Sequence, residues 1–276
     1  MNKRKLLKPL LGLTAAAVLL PLYAVAPGHA SRRQKKIFRG VNYAHRGLHS
    51  RDRSVPENSL TAFRRAAKDG YGIELDVQLS KDGEVVVFHD DTLDRVCGVH
   101  ARVEDLTWPE LQQLRLCGTD EQIPLLSEVL KSIPGCEALI VELKTGRRNR
   151  ELCRKTLALL ENYHGNVCIE SFNPLIVAWF RFHAPDLIRG QLATTMENYA
   201  DDNIRGVKAF LLHNTLLNFL ARPQFIAYRV GRRPLLVRLC TRLGALNVGW
   251  TSHEPRSEQG RDAVIFEFYR PHRRYL

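Results

Sequence analysis

Three short stretches place titratable groups at spacings that could do chemistry: Ala44-His45-Arg46-Gly47, Ile73-Glu74-Leu75-Asp76-Val77 and Val85-Val86-Val87-Phe88-His89-Asp90. A fourth, Val141-Glu142-Leu143-Lys144, repeats the logic of the second. Side chains alternate faces along a strand, so Glu74 and Asp76 share one face while Ile73, Leu75 and Val77 share the other. The same alternation puts Glu142 and Lys144 together. Carboxylates buried side by side without a partner are costly, so a cation is expected between them. Glu74, Asp76 and Glu142 offer hard oxygen ligands without the imidazole cluster or thiolates of a zinc or copper site, which points to Mg2+ or Ca2+. Arg46 and Lys144 beside that ion suit an anionic substrate whose oxygens bridge metal and side chains, as those of a phosphate ester do. His45 and His89 add two imidazoles, one to take a proton from the attacking hydroxyl and one to protonate the leaving alkoxide.

Each pair has a plainer reading. An isolated Glu-x-Asp or His-Asp is commonplace on solvated strands and loops. A solvated face for Glu74 and Asp76 fits poorly with the wholly apolar run at 85–88 that follows so closely. Lys144 also reads as an ion-pair partner of Glu142, and Glu57 as a first-turn acid favoured by the dipole of the helix that Pro56 opens. The remaining histidines show no partner pattern and read as surface or loop residues.

The elements that must carry these residues alternate short β-branched runs with amphipathic stretches, the pattern of a parallel sheet with crossover helices. Strands are expected over 41–44, 72–77, 85–88, 138–143, 167–171, 187–192, 225–228, 247–251 and 263–268, and helices over 57–68, 109–114, 127–133, 150–163 and 174–183. The fold class is α/β, a (β/α)8 barrel of the TIM type, with one run more than eight positions require. Barrel chemistry sits at the C-terminal ends of the strands, where every unusual residue of the early runs falls.

A chain of 276 residues with 45% hydrophobic content can bury one large core. The net charge of +12 is concentrated before residue 40, where nine basic residues meet no acid, so the remainder carries only +3. A domain so nearly balanced has no electrostatic footprint requiring a nucleic acid. Between the two basic clusters, residues 9–28 are uncharged and match the roughly 20 residues that span a bilayer as helix. Residues 1–39 are therefore read as a membrane anchor or signal segment and 40–276 as the barrel domain, anchored by a single N-terminal span and facing away from the cytoplasm. Cleavage after Ala30 would release it as a secreted protein. The six cysteines lie fifteen or more residues apart, without a zinc or redox spacing, and read as small core residues.

Taken in order, His45-Arg46-Gly47, Pro56-Glu57-Asn58-Ser59, the run from Glu74-Leu75-Asp76 to Lys81-Asp82-Gly83, Phe88-His89-Asp90, Leu93-Asp94-Arg95, Ile123-Pro124-Leu125 and Glu142-Leu143-Lys144 resemble successive motifs of the glycerophosphodiester phosphodiesterase family. Ser171-Phe172-Asn173-Pro174 and Trp250-Thr251 resemble later, weaker ones, so the likeness covers residues 40 to 276. The resemblance implies a barrel of the phospholipase C-like group, with Glu74, Asp76 and Glu142 as metal ligands and His45 and His89 as the acid and base pair. It further implies that Arg46 and Lys144 hold phosphate and that Glu57 orients its neighbours. The implied reaction is hydrolysis of a glycerophosphodiester to glycerol 3-phosphate and an alcohol such as choline or ethanolamine. Two alternatives stand beside it: a lysophospholipase D taking a single-chain lysolipid from the membrane, and a catalytically silent membrane-anchored binding protein. Two departures concern the substrate rim. Where many members read Gly-Ile-Ile-Thr-Asp-x-Pro, this chain has Val264-Ile265-Phe266-Glu267-Phe268-Tyr269-Arg270-Pro271, and Ser252-His253 follow Trp250-Thr251.

Overall fold

Eight of the nine apolar runs form parallel strands because each is short, β-branched and followed by a segment long enough to cross back over the sheet. The structure, a computed structural model, describes residues 17, 19–133 and 138–272. Its strands are β1 (Asn42–Ala44), β2 (Gly72–Leu79), β3 (Val85–Val87), β4 (Leu139–Leu143), β5 (Val167–Ser171), β6 (Ile188–Ala193), β7 (Phe225–Arg229), β8 (Leu246–Ser252) and β9 (Ala263–Phe266). The parallel order β1-β2-β4-β5-β6-β7-β8-β9 closes on itself through β1 and β9, giving an eight-stranded barrel.

The surplus run is the one at 85–88. Instead of a barrel strand, β3 pairs antiparallel with the upper half of β2, Val77 opposite Val87 and Leu79 opposite Val85. β1 covers only Gly72 and Ile73 of β2, so β2 runs on beyond its neighbour and β3 folds back along the edge left free. This corrects two expectations. β2 runs on to Leu79, past the expected end at 77, and His89 follows a returning hairpin strand, not a barrel strand.

Alternation sorts the sheet into two layers. Ile73, Leu75, Val77, Val141, Leu143 and Ile169 face outward into the shell of helices, with Phe63, Leu126, Leu152 and Ile176 packed against them. Tyr43, Ile140, Cys168, Phe225, Val248 and Ile265 fill the barrel interior. Two glycines make room for interior rings: a Cβ on Gly190 would lie 2.0 Å from the Phe225 ring and one on Gly72 2.6 Å from Tyr43. Above this apolar floor, the inward positions of β2, β4 and β5 become Glu74, Asp76, Glu142 and Glu170, all buried.

The crossover helices include Leu60–Lys68, Leu126–Ser132, Asn149–Leu160, Pro174–His183, Gly206–His213 and Leu235–Arg242, whereas β8 reaches β9 through a single 3-10 turn, Pro255–Glu258. The first begins three residues later than expected. Ser59 caps it by accepting from the Ala62 amide at 3.1 Å, so Glu57 lies in the turn before the helix and is not a first-turn acid. The expected anchor falls largely outside the described residues. Among the described residues, 19–25 are helical and no helix is long and apolar enough to cross a membrane. Five described cysteines, Cys97, Cys117, Cys153, Cys168 and Cys240, are free thiols.

Candidate active site

The turn after β1 sets the first wall. Gly47, at φ +79°, returns its amide to the Ala44 carbonyl at 3.1 Å. Arg46 is itself held at φ +52°, and its backbone N–H donates to Glu74 Oε2 at 2.9 Å. Left-handed backbone at a non-glycine residue is strained, and here it aims both the amide and the guanidinium at the acids. The Arg46 guanidinium donates to Glu57 at 2.7 Å and lies 3.5 Å from Asp76. Asn58, also left-handed at φ +54°, donates its side-chain amide to Asp76 Oδ2 at 2.9 Å.

Glu74, Asp76 and Glu142 bring one carboxylate oxygen each within 4.8 Å of one another. Parallel pairing puts Asp76 opposite Glu142, so the third acid follows from register alone. The Lys144 ammonium donates to Glu142 at 2.9 Å and sits 3.4 Å from Asp76. Burial, with Asp76 and Glu142 close by, pushes the Glu74 carboxyl well above the usual range. Asp76 goes the other way: burial opposes its ionisation, but His89, Lys144, Arg46 and the Asn58 hydrogen bond hold it well below. One oxygen, Asp76 Oδ1, is buried and accepts no hydrogen bond. Hard oxygens from three acids within 4.8 Å, beside an Asp76 oxygen that has the Lys144 ion pair but no hydrogen bond, fit a Mg2+ or Ca2+ ion by donor chemistry.

The two histidines flank this cluster. His89 is delivered by the hairpin: the Phe88 amide donates to the Asp76 carbonyl at 3.0 Å, and Gln78 brackets the segment by donating to the Phe88 and Asp90 carbonyls at 2.9 and 2.8 Å. Its Nδ1 meets Asp90 Oδ1 at 2.6 Å, leaving Nε2 for the site. Arg95 reaches Asp90 at 2.6 Å and Glu57 at 2.6 and 2.7 Å, tying the His89 support to the Arg46 support. Between these two arginines Glu57 is held as a carboxylate at about 2, against the opposing effect of burial.

His45 hangs from the β1–β9 seam, its amide donating to the Phe266 carbonyl at 2.9 Å. Burial and the Arg46 charge lower its imidazole to about 4, with Glu267 working against them. It is therefore neutral at neutral pH. Its Nδ1 lies 3.6 Å from Glu267, which His49 approaches at 2.9 Å.

All eight residues expected from sequence thus meet at the barrel mouth. Asn58, Gln78, Asp90 and Arg95 were quoted or passed over without a role, because what they contact is set by the hairpin and the loop turns. Glu170 could have been found: Cys168 and Glu170 alternate as Ile140 and Glu142 do, and Glu170 lies opposite Glu142 in register.

A profile of the glycerophosphoryl diester phosphodiesterase family matches residues 45–268. A glycerophosphodiester phosphodiesterase of Caldanaerobacter subterraneus is 38% identical over 162 residues, 54% of this chain and 65% of that protein. Lysophospholipase D GDPD1 of Homo sapiens is 33% identical over 172 residues, 58% of this chain and 52% of its own length. The chain thus spans about half to two thirds of these two relatives. Among solved structures, an Oleispira antarctica phosphodiesterase in complex with the product sn-glycerol-3-phosphate aligns with TM-score 0.67 at 23% identity, covering 84% of this chain and 94% of that one. A glycerophosphodiester phosphodiesterase from Thermotoga maritima aligns at 0.62 and 27% identity, with coverage of 82% and 94%.

Proposed function

Because the chain belongs to the glycerophosphoryl diester phosphodiesterase family, we propose that it hydrolyses glycerophosphodiesters to glycerol 3-phosphate and an alcohol. The observation that carries this reading is the convergence of Glu74, Asp76 and Glu142 within 4.8 Å, with His45 and His89 both close enough to interact with the Asp76 charge. The three acids would hold the ion, Mg2+ or Ca2+, which would supply Lewis acidity toward the phosphate and offset their charge.

Arg46 and Lys144 bind the remaining phosphate oxygens, and their own carboxylate partners keep them aimed at the site when it is free of substrate. His45 accepts the proton of the attacking hydroxyl, since an imidazole held at about 4 has its lone pair available at any neutral pH. His89 donates from Nε2 to the departing alkoxide oxygen, and Asp90 at Nδ1 fixes the ring so that Nε2 is the nitrogen turned to it. Glu57 orients Arg46 and, through Arg95, the His89 support.

Incubation with glycerophosphocholine and glycerophosphoethanolamine, followed by identification of products, tests the reaction. Glycerol 3-phosphate and free choline or ethanolamine are expected; no release from any glycerophosphodiester by folded, metal-loaded protein would reject it. An analogue lacking the glycerol 2-hydroxyl separates attack by water from a cyclic phosphate route, which needs that hydroxyl.

A single-chain lysolipid is the second reading, favoured by the 33% identity to a lysophospholipase D and by Phe268, exposed beside Glu267 at the rim. Choline release from lysophosphatidylcholine but not glycerophosphocholine would select it. Membrane attachment by the segment at 9–28, with the barrel outside the cytoplasm, is proposed from its charge-free composition, and fractionation with and without residues 1–30 checks it.

A further inference from the structure

We propose that His45, His49 and Glu267 form a second divalent-cation site, suited to a borderline ion such as Zn2+, whose occupation withdraws His45 from the reaction. The three present one donor atom each within 4.8 Å of one another. They come from the turn after β1 and the end of β9, strands that are directly paired, so the backbone fixes their separation.

The nitrogens are the telling feature. The His49 side chain is only 7% exposed, and its Nε2 lies 2.9 Å from Glu267 Oε1. His45 Nδ1 lies 3.6 Å from the same oxygen. Two imidazole nitrogens turned toward one carboxylate pair with it when they carry the proton, and when they do not, the three donors face a common centre as ligands would. Two imidazoles and one carboxylate are the donor set of Zn2+ and its first-row neighbours, in contrast to the all-oxygen set of Glu74, Asp76 and Glu142. On the open side, His253 Nδ1 stands 3.8 Å from Glu267 Oε2, leaving the fourth position to that side chain or to water.

The consequence follows from lone pairs. An imidazole that gives its Nδ1 lone pair to a metal carries its single hydrogen on Nε2 and has no lone pair left to accept a proton. Zinc at this position would therefore inhibit a reaction in which His45 is the base. The inhibition rests on the function proposed above, whereas the binding does not.

Binding is tested first, on the full chain stripped of metal and then saturated with Mg2+ or Ca2+, by calorimetric titration with Zn2+. One equivalent of Zn2+ is expected to bind without displacing the first ion, and His49→Leu and Glu267→Gln should each weaken it by about tenfold or more. Co2+ in the same protein should show the spectroscopic signature of nitrogen ligation, lost in His49→Leu. The zinc sensitivity of each variant, read against its own zinc-free rate, should fall in parallel. Zn2+ that binds only by displacing Mg2+ or Ca2+, or that binds both variants as tightly as the parent, would overturn the site and leave Glu267 as an orienting partner of His45 alone.

Discussion

Glu170 stands directly across from Glu142 in the β4–β5 register, 1% exposed, with its Oε2 meeting no donor. Burial, and the charges of Glu74, Glu142 and Asp76, push its carboxyl well above the usual range. A raised acid holds its proton in the folded state after the unfolded chain has released its own, so stability is lost as pH rises above the ordinary value near 4.5. Glu170→Gln removes that penalty. The cation-free variant is expected to be more stable than the parent by roughly 1–3 kcal/mol at pH 7, with the gain vanishing toward pH 4. Denaturant unfolding at both pH values checks this, and a pH-independent difference would exclude the electrostatic origin.

His45 gives the opposite slope. Its imidazole falls from an ordinary 6.5 to about 4 on folding, so the unfolded chain binds the extra proton between those values. Stability is unaffected above 6.5 and declines as pH falls through the window, by about 1.4 kcal/mol per pH unit. Because Glu74 and Glu170 pull the other way, the parent's curve alone does not isolate it. The difference between the parent and His45→Gln does, and should move by roughly 3 kcal/mol in the variant's favour from pH 6.5 to pH 4.

Arg95 touches neither acid cluster nor phosphate position, yet it joins Glu57 to Asp90 and thereby the Arg46 support to the His89 support. Arg95→Ala should lower kcat/KM by on the order of 10²-fold, with losses in both kcat, through His89, and KM, through Arg46. Arg95→Lys should rescue little, because an ammonium cannot fork to two carboxylates. Steady-state kinetics beside a melting curve distinguish this from unfolding, since its cost in stability is expected to stay near 1 kcal/mol for a half-exposed network.

The fold was largely legible because strand and helix periodicities are local. The run at 174–183 appears as the helix Pro174–His183 without adjustment, and the Glu74, Asp76 and Glu142 set followed from alternation. The surplus strand was not assignable, since nothing in Val85-Val86-Val87 distinguishes a barrel strand from a returning hairpin. That depends on where β1 ends. For the same reason the roles of Gln78, Asp90 and Arg95 were hidden, although the residues themselves were in view. Glu267 and His49 are far apart in sequence and meet only because the barrel closes between β1 and β9.

Closure also depends on packing below the site. Gly190→Ala would set a methyl 2.0 Å from the Phe225 ring inside the barrel. A destabilisation of about 1–3 kcal/mol is expected, with activity per folded molecule retained. Thermal unfolding compared with active-site-normalised rate checks it.

The most direct measurement is glycerol 3-phosphate release from glycerophosphocholine by full-length protein before chelation, after chelation and after return of Mg2+ or Ca2+. Release should be lost on chelation and recovered on metal return, and Glu142→Gln should raise the metal requirement by about tenfold or more. Undiminished release by chelated protein, or a Glu142→Gln variant with the parent's metal dependence, would contradict this.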